Sequence, residues 1–291
     1  MGFYLWIFFA VCGIIGDIRI PVAEQGDTPF YDLSYILSKN RGIINMRMRK
    51  KRHGNERLLA LSALLYPNAS ETWENPADVF GNDHPLKLEV GCGKGDFITA
   101  LSERDTDFNY VALERVADVA VCAVEKYAKQ RGLGALGANG GWLTPSGELY
   151  KNGEAWDMPM ELRGNVRFIV GEANDVVTRM PDNSLAGIIA NFSDPWARKC
   201  NYEKRRLTHP AYLENYKRVL KPDGLFSFKT DNEELFDYTV EMLPSCGFEI
   251  VFLTRDLHAS ERAANNIITE YERNFMEKGV NIKMLEARPV K

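Results

Sequence analysis

Apolar and polar positions along most of the chain follow two alternating periods. Short apolar runs recur, and between them apolar residues return at helical spacing. The runs predict strands at residues 85–90, 109–114, 166–173, 186–192, 225–230, 248–254 and 282–285. The helical spacing predicts helices at residues 55–65, 96–104, 116–130, 210–220 and 233–243. Strands alternating with helices predict an α/β fold with a doubly wound, mostly parallel seven-stranded sheet.

The first 45 residues do not follow this pattern. Residues 3–16, "FYLWIFFAVCGIIG", are apolar but shorter than the roughly 20 residues of a spanning helix, and no Lys or Arg precedes them. A second possible start, Met46, opens the basic stretch "MRMRKKRHGNERL". We therefore expect residues 1–45 to be a leader that arises from an upstream start codon and is absent from the working protein. A packed extension and, less favoured, a membrane anchor are the alternatives, and we expect no membrane partner.

The rest of the chain is expected to hold a basic arm and one large domain. Residues 46–85 combine the arm, the short helix and a loop-like stretch at 66–85 with three prolines. Residues 86–291 form the α/β domain. Residues 133–164 are too long for a plain helix-to-strand connection, so they are either a functional flap or a disordered insertion. Trp142 and Trp156 favour a segment that packs at least part of the time.

Composition excludes some classes of protein but does not indicate a function. At 45% hydrophobic and 26% charged, the chain is neither disordered nor fibrous. A net charge of −4 argues against nucleic acid only if the charges are evenly spread, because phosphate contacts need one positive face. The five cysteines include no C-x-x-C pair, which suits reduced thiols in the cytoplasm. The four histidines are scattered, so we expect no metal site.

A glycine-rich turn follows the first predicted strand. In "LEVGCGKGD", Gly91, Gly93 and Gly95 let the backbone approach a ligand closely beside a helix N-terminus. A dinucleotide fingerprint would end in Gly or Ala where this chain has Asp96. Glu89 suits a ligand that carries ammonium and sulfonium charges, and would repel a pyrophosphate. The pattern resembles the S-adenosylmethionine pocket of class I methyltransferases, so we expect S-adenosylmethionine as cofactor.

Acids also end the next three predicted strands. Glu114 ends the second strand, where a carboxylate can accept both ribose hydroxyls. Glu172, followed by Ala173, ends the third strand, where the adenine would lie. Asp194 follows the fourth strand. Because the carboxyl ends of strands form the ligand crevice of such sheets, we expect all of them to line one site with Glu89.

Asp194 lies in the turn "FSDPW", whose single proline departs from the two-proline turn usual for methylation of exocyclic amines. Together with "KRRL", "KTDNEELF", "TEYE" and "LEVGCGKGD", this turn resembles the bacterial tRNA (guanine-N7-)-methyltransferase family. The resemblance covers residues 46–291 apart from 133–164. It implies a Rossmann-like methyltransferase sheet and methylation of guanine N7 in tRNA. The product would be 7-methylguanosine in the variable loop, at nucleotide position 46.

The resemblance also implies residue roles. Glu89, Glu114, Glu172 and Asp194 would bind the cofactor, with Asp194 beside the reaction centre as the catalytic residue. The positions that match the family's substrate contacts are Arg198, Asp231, Thr269, Glu270, Tyr271 and Glu272. The family's usual Lys-Lys-Arg-His run is replaced here by a run one residue longer, "RKCNY". Lys199 is therefore an alternative to Arg198 as a substrate contact.

The chemistry of guanine supports this reading. N7 carries a free lone pair, so its attack on the methyl group needs no proton removal and leaves a cationic base. Asp194 is then better suited to stabilising and positioning than to acting as a general base. Recognition must use the N1–H and N2–H₂ edge, for which Asp231 and Glu272 are suitable acceptors. Thr269 and Glu272 also fit a helix capping box, and Trp196 can stack on the base or only pack the turn.

A cluster of cations follows the turn. Residues 198–206 hold five Lys or Arg side chains against Glu203. This run is either a solvated helix face or, together with residues 46–57, a grip on the phosphates of tRNA. Two further hypotheses are methylation of another nucleobase amine or a small molecule, and a non-catalytic RNA-binding module that holds S-adenosylmethionine. The sequence does not decide between a monomer and a homodimer.

Overall fold

The computed structural model describes residues 50–51, 53–67, 70–138, 140–148, 156–196 and 199–291, without the side chains of residues 70–71 and 199–201. The expected leader at residues 1–45 lies outside the described residues, and so do Arg198, the first residues of the basic arm and residues 149–155 of the long connection.

Seven strands form one sheet whose order, β5-β2-β1-β6-β7-β9-β8, confirms the predicted fold class. Neighbouring strands from β5 to β7 run parallel, and β9 pairs antiparallel with both β7 and β8. The strands are β1 (Leu86–Val90), β2 (Asn109–Glu114), β5 (Val166–Val170), β6 (Leu185–Asn191), β7 (Leu220–Thr230), β8 (Phe248–Thr254) and β9 (Lys283–Pro289). A separate hairpin joins β3 (Ala135–Leu136) to β4 (Trp142–Leu143).

Helices cover both faces of the sheet, as a doubly wound fold requires. They are α1 (Gly54–Ala60), α2 (Ser70–Glu74), α3 (Pro76–Phe80), α4 (Asp96–Arg104), α5 (Ala117–Gln130), α6 (Ala173–Val177), α7 (Pro210–Val219), α8 (Glu233–Ser245) and α9 (Glu270–Met276). Alternate residues of β2 enter different cores. Tyr110 and Ala112 pack with α1, α4 and α5, whereas Val111 and Leu113 pack with α6, α7 and α8.

Two segments differ from the sequence-based expectation. The stretch expected to be a loop at residues 66–85 holds α2 and α3, and Trp73 there stacks on Tyr66 with ring centroids 4.1 Å apart. Strand β7 begins directly after α7, at Leu220, five residues before the predicted start of the strand at residue 225. Its register to β6 shifts between Leu185 and Gly187, which absorbs these extra residues.

The described parts of the long connection pack onto the core. Trp142 is buried, and its indole Nε1 donates to the carbonyl of Leu133 at 3.0 Å. Met158 is fully buried, and the backbone N–H of Trp156 donates to the carbonyl of Ala60 at 3.3 Å. These contacts place the described parts of the segment against α1 and α5.

Arg57 was expected in the basic arm, but its side chain takes part in the packing of α1. Its guanidinium is buried and makes two hydrogen bonds of 2.5 Å to the carboxylate of Glu125. This pair joins α1 to α5, so Arg57 is not free to contact a phosphate. Among the described helices, none has the length and apolarity needed to cross a membrane.

Candidate active site

The turn after β1 is shaped by three glycines in the left-handed region of backbone conformation. Gly91, Gly93 and Gly95 have φ of +79°, +58° and +80°. A Cβ on Gly95 would lie 2.9 Å from the backbone of Ala123, so glycine is needed there for α4 to approach α5. A Cβ on Gly93 would meet nothing within 4 Å. The chain therefore leaves open space above Gly93, at the carboxyl end of β1.

Glu89 is buried next to this turn. Its Oε2 has no hydrogen-bond partner among the described residues. Burial raises the pKa of this carboxyl to about 8, against the opposing charge of Lys229. A buried carboxylate without a donor is costly, and a cationic ligand group would remove that cost.

Glu114, at the end of β2, is fixed by the backbone of both neighbouring turns. Its Oε2 accepts from the N–H of Gly93 at 3.1 Å and its Oε1 from the N–H of Val116 at 2.8 Å. Burial raises its pKa, and these hydrogen bonds oppose the rise. A carboxylate has about four acceptor positions, so Glu114 retains capacity for two hydroxyl donors.

Glu172 precedes α6 at the end of β5, with the buried Ala173 beside it. Its Oε1 accepts from the Tyr212 hydroxyl at 3.1 Å, and its Oε2 lies 3.8 Å from Nη1 of Arg115. Sequence reasoning did not single out these two partners. They hold the third acid at the same edge of the sheet as Glu89 and Glu114.

The turn that carries Asp194 is strained. Phe192 and Trp196 have φ of +53° and +20°, values that residues with a side chain rarely adopt. Asp194 and Pro195 are exposed at its tip. The side-chain amide of Asn191 and the hydroxyl of Ser193 are buried and have no partner among the described residues. Such strain and unpaired groups cluster where a fold binds a ligand.

Arg206 supports this turn from below. Its side chain is fully buried, and its Nε donates to the carbonyl of Trp196 at 2.8 Å. Its Nη2 lies 2.9 Å from Oε1 of Glu234, and the guanidinium stacks 4.6 Å over the ring of Tyr238. Arg206 therefore fits neither alternative considered for residues 198–206, a solvated helix face or a phosphate contact, because its side chain is buried and supports the turn.

Asp231 and Tyr271 meet beside the Asp194 turn. The Tyr271 hydroxyl lies close enough to the Asp231 carboxylate to feel its charge, and the Tyr271 ring lies 4.9 Å from that of Phe192. Burial and the charges of Asp231 and Asp194 raise the pKa of Tyr271 to about 12, so its hydroxyl stays protonated. Asp231 is half-buried, whereas Tyr271 and Glu270 are exposed at the start of α9.

Thr269 and Glu272 are buried instead. The Thr269 hydroxyl accepts from the N–H of Glu272 at 3.1 Å, which is one half of a capping box. The fully buried Glu272 carboxylate lies 3.0 Å from Nζ of Lys229, and its other oxygen contacts His258 at 2.8 Å and Asn266 at 2.5 Å. The expected guanine-edge acceptor is thus already occupied by protein partners. Sequence reasoning missed Lys229, although a cation ending an apolar strand is an available signal.

Exposed cations lie on one side of the turn. Arg205 stacks 5.0 Å over the ring of Trp196 and 5.3 Å over that of Tyr202, and Lys204 is exposed beside it. Lys199 begins the 3-10 segment Lys199–Arg205, and its side chain lies outside the described atoms. The site therefore joins buried acids, a strained turn and a cationic aromatic surface.

Comparison with known proteins gives this geometry a context. A family model described as a putative methyltransferase matches residues 83–285. The tRNA (guanine-N(7)-)-methyltransferase of Bacillus cytotoxicus is 33% identical over 84% of this chain and 97% of its own length. The enzyme of the same name from Lactococcus lactis is 35% identical over 84% of this chain and 98% of its own length. A solved antibiotic-related methyltransferase aligns with 75% of this chain and 94% of its own, at 16% identity and a TM-score of 0.47.

Proposed function

This chain belongs to the tRNA (guanine-N7-)-methyltransferase family, and we propose that it methylates guanine N7 in tRNA, using S-adenosylmethionine. The observation that carries the proposal is Glu89, a buried acid beside an open glycine turn, with an oxygen that has no partner within the described part of the chain. The strand that follows it in the sheet, β6, ends in the strained Asp194 turn. We place the reaction in the cytoplasm, at nucleotide 46 of the variable loop.

The residues at this edge fit S-adenosylmethionine. Glu89 offers a carboxylate to a cationic group, Gly93 leaves room for close approach, and Glu114 retains acceptor capacity for ribose hydroxyls. Glu172 and Ala173 stand where we expect the adenine. When bound, S-adenosylmethionine supplies an electrophilic methyl group on a sulfonium.

Asp194 is the proposed catalytic residue. Guanine N7 attacks with its own lone pair, so no residue has to take a proton. The base becomes cationic as the bond forms, and an anionic side chain held in a rigid turn stabilises that charge. Arg206 fixes the turn through the carbonyl of Trp196, which keeps Asp194 preorganised.

Asp231 is the proposed acceptor for the N1–H and N2–H₂ edge of guanine. It is partly exposed beside Tyr271, and a carboxylate has about four acceptor positions to offer the base. Thr269, Glu270 and Glu272 then contribute through the segment that carries Tyr271. Lys204 and Arg205, with Arg198 or Lys199 where the family contacts substrate, are proposed to hold the RNA.

The test compares methyl transfer by the wild type, Asp194→Ala and Asp182→Ala. Asp182 is an exposed acid at the opposite end of β6, so it controls for the loss of a negative charge. Asp194→Ala should lower kcat on unmodified tRNA by about 10² to 10³-fold. Its affinity for tRNA should stay within about threefold, because phosphate contacts dominate binding. Wild-type kcat in Asp194→Ala would overturn the assignment.

A further inference from the structure

Lys229 is the penultimate residue of β7 and is buried at the centre of the site. Only 3% of its side chain is exposed. Its Nζ lies 3.0 Å from Oε2 of Glu272, 2.9 Å from Oδ1 of Asn266 and 3.4 Å from the carbonyl of Ile267. Burial lowers its pKa, and the charge of Glu272 opposes that effect. Lys229 is therefore a desolvated cation committed to the segment that leads into α9.

The same residue contacts two further elements. Its backbone carbonyl accepts from the N–H of Phe192 at 2.8 Å, and its Nζ lies 5.7 Å from the Phe192 ring, in the turn that carries Asp194. Its Nζ also lies 5.0 Å from the ring of Phe97, in the first turn of α4. One side chain thus touches the helix of the glycine turn, the Asp194 turn and the 266–272 segment.

Stability alone is a weak explanation for such a pair. A buried ion pair often contributes little net stability, because desolvating both charges offsets their attraction. Replacing both partners by apolar residues of similar volume is commonly neutral. A positional requirement explains the pair better, since Lys229 lies between the helix that follows the glycine turn and the Asp194 turn.

We propose that Lys229 is a positioning residue for methyl transfer, which holds the Asp194 turn, α4 and the 266–272 segment in one arrangement. This inference rests on the proposed function, because the geometry it protects is that of the methyl acceptor and donor. Lys229 itself transfers no proton and forms no covalent bond. Its ammonium group orients Glu272, and Glu272 orients the backbone that presents Tyr271.

The test measures kcat, the KM of each substrate and the melting temperature for three variants of the full chain. These are Lys229→Met, Lys229→Arg and the double variant Lys229→Met/Glu272→Met. Arg167→Met is the control, because Arg167 is an equally buried cation at the amino end of β5. At a pH above the Glu89 transition of both proteins, we expect Lys229→Met to lower kcat by about 10²-fold, with KM for S-adenosylmethionine changed less than about threefold. Lys229→Arg should recover part of kcat.

The double variant separates positioning from stability. It removes both charges, so it should melt near the wild type and still show the lower kcat. If it, or a folded Lys229→Met, transfers methyl groups at the wild-type rate, the proposal is overturned. An absence of 7-methylguanosine with the wild type would instead overturn the proposed function, so the two failures are distinguishable.

A pH profile tests whether the Lys229 cation acts on Glu89. The charged groups facing Glu89 are Lys229, Glu114 and Asp96, and the thiol of Cys92 lies beside them. Without the Lys229 cation, the pKa of Glu89 should rise further. The pH at which S-adenosylmethionine affinity reaches half its maximum should therefore move upward in Lys229→Met. An unshifted profile would contradict the placement of this cation beside Glu89.

Discussion

Some residues of this site lower the free energy of unfolding of the protein when no ligand is bound. Glu89 is the clearest case, because burial raises the pKa of its carboxyl from its usual 4.5 to about 8. The folded chain then binds more protons than the unfolded chain between those two pH values. The free energy of unfolding should fall as pH rises through this window, by about 1.4 kcal/mol per pH unit at most. This loss of stability is consistent with a site that binds a cationic ligand.

Glu89→Gln should remove that pH dependence. At pH 8, without S-adenosylmethionine, we expect the variant to melt higher than the wild type. The wild type must protonate Glu89 or bury its charge when it folds, and the uncharged glutamine avoids this cost. Addition of S-adenosylmethionine should raise the melting temperature of the wild type and barely change that of the variant. Glu249→Gln, on the exposed side of β8, is the matched control. A variant that melts lower at pH 8, or gains equally from the cofactor, would contradict this account.

At the scale of elements, the glycines of the turn have two roles: Gly95 permits helix packing, and Gly93 permits the approach of a ligand. Gly95 faces the backbone of α5, whereas Gly93 faces open space, although both have a positive φ. The strain of a left-handed residue is about 1 to 2 kcal/mol for any side chain, so it is common to both positions. The two positions differ only in the atoms that an added Cβ would meet.

Gly95→Ala and Gly93→Ala should therefore fail in different ways. Gly95→Ala adds a clash 2.9 Å from Ala123, so we expect the larger fall in melting temperature. Gly93→Ala should be destabilised by strain alone but should lose at least about tenfold in affinity for S-adenosylmethionine. Calorimetric titration and thermal melting measure both quantities. Equal stability losses with equal affinities would show that the two glycines do the same work.

Strand and helix order could be read from the sequence because each element carries its own periodicity. The predicted bounds of β2, α4 and β8 match the structure. Helices α2 and α3 were missed, since each has five residues and its apolar residues pack through tertiary contacts with Tyr66. Local patterns also could not separate buried cations from exposed ones. Arg205 and Arg206 are neighbours, yet only Arg206 is enclosed by Tyr238 and Glu234.

The predicted acids at the strand ends do converge, because the carboxyl ends of parallel strands share one edge. Their partners lie far away in sequence and were not predictable. Glu172 is held by Tyr212, which lies 40 residues further along the chain. Glu272 is bound by Lys229, 43 residues before it, a pairing that no local pattern predicts.

At the scale of the whole molecule, the acidic crevice and the cationic surface lie on either side of one strained turn. The net charge of −4 therefore conceals an arrangement in which acids line the crevice proposed for the cofactor and exposed cations form the surface proposed for tRNA. Lys204 and Arg205 belong to that second group, and Arg57 and Arg206 do not, because protein groups already occupy them.

Charge reversal on this surface tests the arrangement. Lys204→Glu/Arg205→Glu should weaken tRNA binding by at least about tenfold at low salt, and the effect should shrink as salt rises. Affinity for S-adenosylmethionine should not change, because both side chains are exposed outside the acidic crevice. Lys217→Glu/Lys221→Glu, at the far end of α7 and the start of β7, controls for net charge. Equal losses in both double variants would mean that overall charge, and not this surface, binds tRNA.

The central claim is that guanine N7 of tRNA receives the methyl group, and nucleoside analysis tests it most directly. Unmodified tRNA would be incubated with the full chain and methyl-labelled S-adenosylmethionine, beside a matched transcript in which 7-deazaguanosine replaces guanosine. The analogue keeps the N1–H and N2–H₂ edge and lacks the attacking nitrogen. We predict labelled 7-methylguanosine from the first tRNA and no label in the second. Label in another nucleoside, or in the 7-deazaguanosine transcript, would contradict the account.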